Sequence, residues 1–484
     1  MPVDTRHRDY LAHQDIWRRI REVLEGQDAI RAAGERYLPR LKGQSAADYA
    51  SYAARGTFHD ATSRTVDGFV GAVFRKAPII DLPLALRSLA ADADGNGTPL
   101  AVLAKAALRE IVSIGRYGML VDIAAGGARA TAAGYVAEDI VNWREEFLDG
   151  RAVLTLVVLR ERAERARVDD RYESETRSRY RVLSLEPVPG GGRNYVQTVY
   201  ERDEDGRSGH GFVTVGAPVV PAQRGRTLDF IPFQFIGADD VSSRICKSPI
   251  YGLVNANIAH YQTTVDLKHG AHFTALPTPV IAGSLRGGDQ HELKIGSGVA
   301  WQLDEGARWG MLEFSGAGLG ALRDIREDEK KDMAVLGARL LEDQKQGVEA
   351  AAAVVLRHRG ENSVLAGISD TVSAGLTRVL DWMAWWSGGQ RGTARVTLNK
   401  DFFDQAMSAS DMVHLVEGWQ RGGYGPRVVF ENLRGGERLP DDMSFEDWEL
   451  DRSVRKTSQG GEPGARTRDA PGEGYVARRI SNGG

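Results

Sequence analysis

In the N-terminal part of the chain, apolar positions follow a helical period. From Asp15 to Leu24 the residues Ile16, Ile20, Val23 and Leu24 share one face and predict an amphipathic helix. A loop with Tyr37-Leu38-Pro39 follows. Ser45 then opens a helix through Arg55, and Asp60 or Thr62 caps another through Phe74. In that last helix Val66, Phe69, Val70 and Val73 form a stripe. Pro78 forbids its continuation, because proline lacks the amide donor and crowds the preceding turn. Pro99 to Tyr117 predicts a further helix, with Leu100, Leu103, Ala107, Ile111 and Ile114 on one face.

After Gly118 the pattern changes. Met119–Ile123 reads as a buried strand and Gly134–Ile140 as another. Val153–Leu159, Tyr180–Leu185, Tyr195–Tyr200 and Phe212–Val220 add β-type runs separated by glycine or charge clusters. The stretch Arg160–Arg181 is dense in both charge signs and reads as exposed hairpin ends rather than a binding surface. Helices followed by an antiparallel sheet predict an α+β fold.

The middle of the chain carries the strongest pattern. Ser248-Pro249 is a helix start, with serine at the N-cap and proline at the first helical position. Ile250, Val254, Ile258, Tyr261 and Val265 keep a helical period until Pro277. A helix over 249–275 would be ~40 Å long at the usual rise per residue. Short β runs follow at Thr278–Ala282, Val299–Leu303 and Met311–Phe314. A second long helix is predicted from Leu319 to Gln344, with a thin apolar stripe of Leu322, Ile325, Met333, Leu336 and Leu340. Two helices bridged by a compact β unit make an antiparallel stalk with a knob. The second helix is polar over most of its circumference, so it needs neighbours or lines something wet.

A third long helix runs from about Glu349 to Trp386, stopping at Gly388-Gly389. A strand at Ala394–Leu398 precedes small helices near Ser410–Arg421 and Pro426–Arg434. From about Asp451 the chain turns polar and rich in glycine and arginine, the composition of a flexible tail.

Composition narrows the function. The 484 residues are a prior for about three domains. With 42% hydrophobic and 26% charged residues, a wholly disordered chain, a collagen and a coiled-coil rod are excluded. Sixty-two basic against 66 acidic residues give a net charge of −4, which excludes a chain-wide basic coat for nucleic acid but not a local patch. A single cysteine, Cys246, excludes an intramolecular disulfide and a cysteine-based zinc site. The N-terminus lacks the apolar core of a signal peptide and no run approaches a membrane span, so a soluble intracellular product is expected.

No catalytic signature stands out. There is no G-x-x-x-x-G-K-[ST] loop, no H-E-x-x-H and no G-x-S-x-G. Gly316-Ala317-Gly318-Leu319-Gly320 follows a strand and opens a helix, but lacks the spacing of a dinucleotide turn and reads better as a pivot. His269 and His272 sit three apart without a carboxylate, and His358 lies between Arg357 and Arg359, so both read as polar helix faces. The expectation is a non-enzyme without metal or cofactor.

The order of these elements, with particular stretches, resembles tailed-phage portal proteins, the head-to-tail connectors. At the N-terminus the resemblance rests on Tyr37-Leu38-Pro39, on Thr65-Val66-Asp67-Gly68 and on Gly71 to Pro78. In the middle it rests on Ile231-Pro232-Phe233, Ser248-Pro249-Ile250 and Asn257-Ile258-Ala259-His260-Tyr261-Gln262, then on the charged helix and the long helix after Gly347. It covers nearly all of residues 10–450 and is closest to a portal-like branch of phages and prophages.

The resemblance implies a ring of subunits, usually twelve, around a tunnel for double-stranded DNA at one capsid vertex of the virion, made in the host bacterial cytoplasm. It implies an α+β portal-type fold: a wing over 1–240, stem helices over 241–277 and 317–345, and a clip over 278–316. A tunnel loop over 342–349, a long helix and wing strand over 350–400, crown-like helices over 401–450 and a flexible tail over 451–484 complete it. The tunnel loop would put Gln344, Lys345 and Gln346 nearest the DNA. Arg323, Glu327, Lys330 and Lys331 would be stem charges; Ile258, Tyr261, Leu336 and Leu340 would pack the stem; Arg286, His291 and Lys294 would lie in the clip. Implied partners are the terminase motor, the major capsid and scaffold proteins and a neck adaptor, with no membrane. From Arg323 to Asp332 four basic residues interleave with five acidic ones, a wall that offers DNA little net attraction. Two other readings stay open on the residues alone: another virion adaptor of the neck or baseplate, and a cytosolic nucleotide-binding enzyme using the glycines at 316–320.

Overall fold

The structure, a computed structural model, describes residues 2–123, 129–167, 170–203, 211–223, 225–275, 278–282, 306, 308–312, 316–338, 363–402, 409–435, 438–439 and 443–450. The chain divides into two compact units, Met1–Phe403 and Asp404–Gly484. The larger one mixes helices with antiparallel sheets, an α+β architecture.

It opens with α1 (Arg8–Glu25), α2 (Gln27–Ala33), α3 (Ala46–Arg55) and α4 (Ala61–Val73). The first helix begins before its apolar stripe because His7 Nδ1 caps it, accepting the Asp9 N–H at 3.1 Å. Ser45 caps α3 as its sequence predicts, accepting the Asp48 N–H at 3.1 Å. Asp60 stands at the N-cap of α4 but makes no side-chain cap bond. Next come β1 (Ile79–Asp81) and α5 (Leu100–Ile114). This helix stops before Tyr117, contrary to expectation. Gly115 turns it left-handed at φ +83°, and a Cβ there would lie 3.1 Å from the carbonyl oxygens of Cys246 and Lys247.

Tyr117 therefore belongs to β2 (Arg116–Ile123), which pairs with β3 (Ala130–Val136). Then β4 (Ile140–Leu148), β5 (Arg151–Ala166), β6 (Ser174–Pro187), β7 (Arg193–Arg202) and β8 (Phe212–Thr214) form an antiparallel meander in that order. After a short hairpin of β9 (Ala222–Gln223) and β10 (Arg226–Thr227), β11 (Phe233–Gly237) returns to the free edge of β2. The expected exposed hairpin ends are only partly so. Arg181 Nε donates to Glu161 at 2.7 Å and its Nη1 to Asp122 at 3.1 Å, a half-buried network that joins the two sheets.

The long elements are α6 (Tyr251–Ala275), β12 (Thr278–Ala282), β13 (Arg308–Leu312), α7 (Ala317–Ala338), α8 (Val364–Trp386) and β14 (Arg395–Thr397). Ser248 does not cap α6; its hydroxyl donates to the Ser113 carbonyl at 2.6 Å instead. Ser363 caps the described part of α8, accepting the Ala366 N–H at 3.2 Å. That helix packs its face of Leu365, Ile368, Val372, Leu376, Val379 and Met383 into the core. Its Gly375 is needed there, since a Cβ would come within 2.6 Å of Ile236 on β11. Finally β14 returns to pair with β1, Val396 opposite Ile80. One contiguous core links α1, α4, α5, α8 and the β2 sheet, and the buried stretch of α6 belongs to it.

The smaller unit holds α9 (Ala409–Gln420) and α10 (Pro426–Gly435). Its apolar centre is aromatic: Phe430 is buried, 5.5 Å from the Phe445 ring and 5.6 Å from Trp448.

Candidate functional site

The helix pair α6–α7 with its β12–β13 unit is the feature most directly anticipated from the sequence. Three contacts set its direction. A Cβ on Gly270 would lie 2.9 Å from Leu319, Thr263 donates to Glu329 at 3.0 Å, and a Cβ on Gly252 would lie 3.8 Å from Leu336. The numbers rise on one helix as they fall on the other, so the pair is antiparallel. At the far end β12 and β13 pair antiparallel, Thr278 opposite Leu312 and Ala282 opposite Arg308. Trp309 on β13 is 67% exposed.

The buried and half-buried side chains of α7 are Leu319, Leu322, Arg326, Glu329, Met333 and Leu336, alternating steps of three and four, with the buried Gly337 beside the last of them. That is the spacing of a coiled-coil seam. It corrects the predicted stripe: Ile325 lies outside it, 49% exposed, while Arg326 and Glu329 lie within it. Glycine allows close approach at Gly270, and Gly337 meets Thr65 of α4 at 3.3 Å from its would-be Cβ. Gly316 also belongs to this junction: its φ is +65° and a Cβ would lie 3.4 Å from Thr274. The glycines at 316–320 thus start a packed helix.

The centre of the seam is polar. Glu329 takes the Thr263 hydroxyl on one carboxylate oxygen, while its other oxygen is buried without a hydrogen-bond partner. Burial raises its pKa, partly offset by the Thr263 bond. Nearby, His260 is buried with Nδ1 unbonded, 5.7 Å from the His59 ring. Burial lowers its pKa, and His59 and Arg326 add to the effect.

Arg323, Glu327, Lys330 and Lys331 are all exposed on α7. Glu327 pairs with Arg326 at 3.0 Å, which with Lys330 lowers its pKa, and Lys331 pairs with Asp328 at 2.9 Å. Ile258 is half-buried against the core and Leu336 half-buried against α6. Tyr261 requires a correction. It faces away from α7, in the core, 6.1 Å from the Phe58 ring and against Gly56. Residue 261 is two positions, about 200°, round the helix from Thr263, which bonds Glu329 on α7, so it joins the opposite face. Leu340, Gln344, Lys345, Gln346, Arg286, His291 and Lys294 lie outside the described residues.

Sequence reasoning missed three features. Asn257 on α6 is fully buried and hydrogen-bonded to Thr62 and His59. Arg116 is 1% exposed between the Trp143 and Phe235 rings, at 4.2 and 4.5 Å, and gives one hydrogen bond, to the Ser243 carbonyl at 2.7 Å. Burial lowers its pKa. Asp92-Ala93-Asp94-Gly95-Asn96-Gly97 has the D-x-D-x-N-G spacing of a calcium loop, which a motif scan would have found. Its twelfth position is Leu103, so the bidentate glutamate is missing. Asp92 accepts the Gly95 N–H at 2.8 Å and pairs with Arg129 at 3.1 Å, and Asp94 accepts the Asn96 N–H at 2.8 Å. Backbone bonds hold Asp94 at about 2, against the effect of burial. Among the described residues no cluster of three histidine, cysteine or acidic side chains is placed to hold a metal ion, and no helix is long and apolar enough to cross a membrane.

A family model described as a domain of unknown function, DUF4055, matches residues 249–387, the stretch that contains α6, α7 and α8. No curated protein matches. Among solved structures, a chain from the virion of a native gene transfer agent particle is 14% identical, with a TM-score of 0.39, covering 85% of this chain and 98% of that one. A chain from the neck of a native gene transfer agent particle, computed with C12 symmetry, is also 14% identical, with a TM-score of 0.34, covering 82% of this chain and 94% of that one. Both TM-scores lie below the level that establishes a shared fold.

Proposed function

We propose that this chain is a phage portal protein: a subunit of a ring at one capsid vertex through which double-stranded DNA enters and leaves. The observation that carries the reading is α7. It is tied to the body along one seam, and its remaining circumference is exposed and carries both charge signs. Such a helix suits a wall between neighbours and an aqueous channel. A channel that passes DNA must not grip it, because each neutralised phosphate adds salt-sensitive affinity, and a mixed-sign wall avoids that.

In this reading α6 and α7 are the stem, and 278–316 is the clip, with Arg286, His291 and Lys294 facing the packaging motor and later the neck. The body before α6, together with β14, is the wing, 401–450 the crown, and 342–349 the tunnel loop that brings Gln344, Lys345 and Gln346 to the DNA. No step of the function requires a cofactor.

Negative-stain imaging and mass photometry of the purified chain, alone and co-produced with capsid and scaffold proteins, test the proposal. The expected result is a ring with a central hole and a mass near twelve times 52.8 kDa, recovered from unfilled capsids. A ring found only on DNA-filled heads would move the chain to a neck adaptor. A monomer under both conditions would remove the ring altogether.

A further inference from the structure

We propose that α7 docks against a second copy of this chain through two flanks of opposite charge, the acidic flank of one copy meeting the basic flank of the next; the inference rests on the ring reading above. At about 100° per residue the seam centred on Leu322 divides the exposed circumference in two. Ile325, Asp332, Ala321, Asp328, Val335 and Asp324 fall on one side. Lys330, Arg323, Ala334, Glu327 and Lys331 fall on the other. The first flank carries three carboxylates and two half-exposed apolar side chains, Ile325 and Val335, each 49% exposed. The second carries three cations and one carboxylate.

The acidic flank is not what a solvated helix needs. Charges on a free helix gain from opposite signs four residues apart and lose from like signs. Arg323, Glu327 and Lys331 on the basic flank meet that rule, but Asp324, Asp328 and Asp332 form a like-charge ladder at the same spacing, and Arg326 stands four residues before Lys330. One bond reaches across, Lys331 to Asp328 at 2.9 Å, with Asp324 also in the field of Lys331; among the described residues neither Asp324 nor Asp332 forms an ion pair with the other flank. An opposing cationic surface would relieve the ladder, and the same helix carries such a surface on its other side. Because the two flanks differ, the contact is head-to-tail and every copy uses each flank once, a contact that yields a ring when the rotation between copies closes. Ile325 and Val335 supply the apolar part of that contact and lose their exposure in it.

The test uses the full chain and two variants. One reverses the acidic flank (Asp324→Lys, Asp328→Lys, Asp332→Lys). The other reverses the basic flank (Arg323→Glu, Lys330→Glu, Lys331→Glu). Alone, each presents like charges at every contact and should stay monomeric by mass photometry, while circular dichroism shows it folded. Mixed in equal amounts, they should alternate and restore the wild-type ring mass. Rings in the wild type and in both variants alone would overturn this inference and leave the ring reading standing. Folded variants that fail to rescue each other would also overturn it. Intact rings that lose DNA retention in the basic-flank variant would assign that flank to the channel wall instead. A wild-type chain that stays monomeric even with capsid and scaffold proteins would overturn both readings.

Discussion

The Asn257 carboxamide oxygen on α6 accepts two hydrogen bonds from Thr62, from the backbone N–H at 3.2 Å and the hydroxyl at 2.8 Å, while its nitrogen donates to the His59 carbonyl at 2.8 Å. The first turn of α4 is thus capped by a residue 195 positions later in the chain. This explains why Asp60, at the N-cap, makes no cap bond of its own. Asn257→Ala would leave two donors and one acceptor buried and unpaired. A loss of about 3 kcal/mol is expected, read by chemical denaturation. An unchanged midpoint would mean that water replaces the carboxamide.

Glu329 makes a pH-dependent contribution with a worked sign. Its folded pKa is raised above the ordinary 4.5 by burial, so the folded state holds its proton longer than the unfolded one. Its contribution therefore falls as pH rises through that range. Glu329→Gln keeps an oxygen for the Thr263 hydroxyl and removes the buried charge. The variant should melt higher than the wild type at pH 7, and the difference should vanish near pH 4. A lower melting temperature at pH 7 would mean that the carboxylate is needed charged.

Gly375 and Ile236 are in direct conflict with any larger pair, with 2.6 Å between a would-be Cβ and Ile236. Gly375→Ala should cost about 1–3 kcal/mol through overpacking of α8 on β11. Adding Ile236→Ala should cost less than the sum of the two single changes, because the truncated side chain makes room. Additive losses would show that the helix shifts as a body.

Leu336 and Ile258 should separate assembly from folding. Leu336→Asp charges the end of the seam against α6 and should abolish ring assembly while the body still unfolds cooperatively. Ile258 packs against the core, so Ile258→Asp should lower the melting temperature as well. Intact rings from both variants would sink the packing role of the pair.

Lys345→Ala, in the proposed tunnel loop, should leave assembly intact and alter DNA packaging or retention. The measure is the amount of packaged DNA per particle. Variant chains that fail to assemble would make the loop structural.

Much of the organisation was legible from periodicity. The stretches around α3, α4, α6, α7 and α8 carry apolar residues at helical spacing with serine, glycine or proline near their ends, and spacing is a local property. Among the strands, β4 and β11 were not. In β4 Ile140 and Val141 are buried in succession and the middle, Arg144-Glu145-Glu146, is charged, and β11 is a five-residue run with Gln234 buried in it. Short strands acquire their identity from the partner they find, here β5 and β2.

The amino-acid pattern by itself determined the helix–sheet order, the long helix pair with its β unit, and the charge on α7. Tertiary structure decided which polar groups are satisfied and by whom. Asn257 serves α4, Ser248 serves Ser113, and Arg116 lies between two rings. It also decided that Arg326 and Glu329, rather than Ile325, share the seam. The reason is that a helical period is visible within a few turns, whereas the partner of a buried donor or a face is set by contacts between residues far apart in sequence.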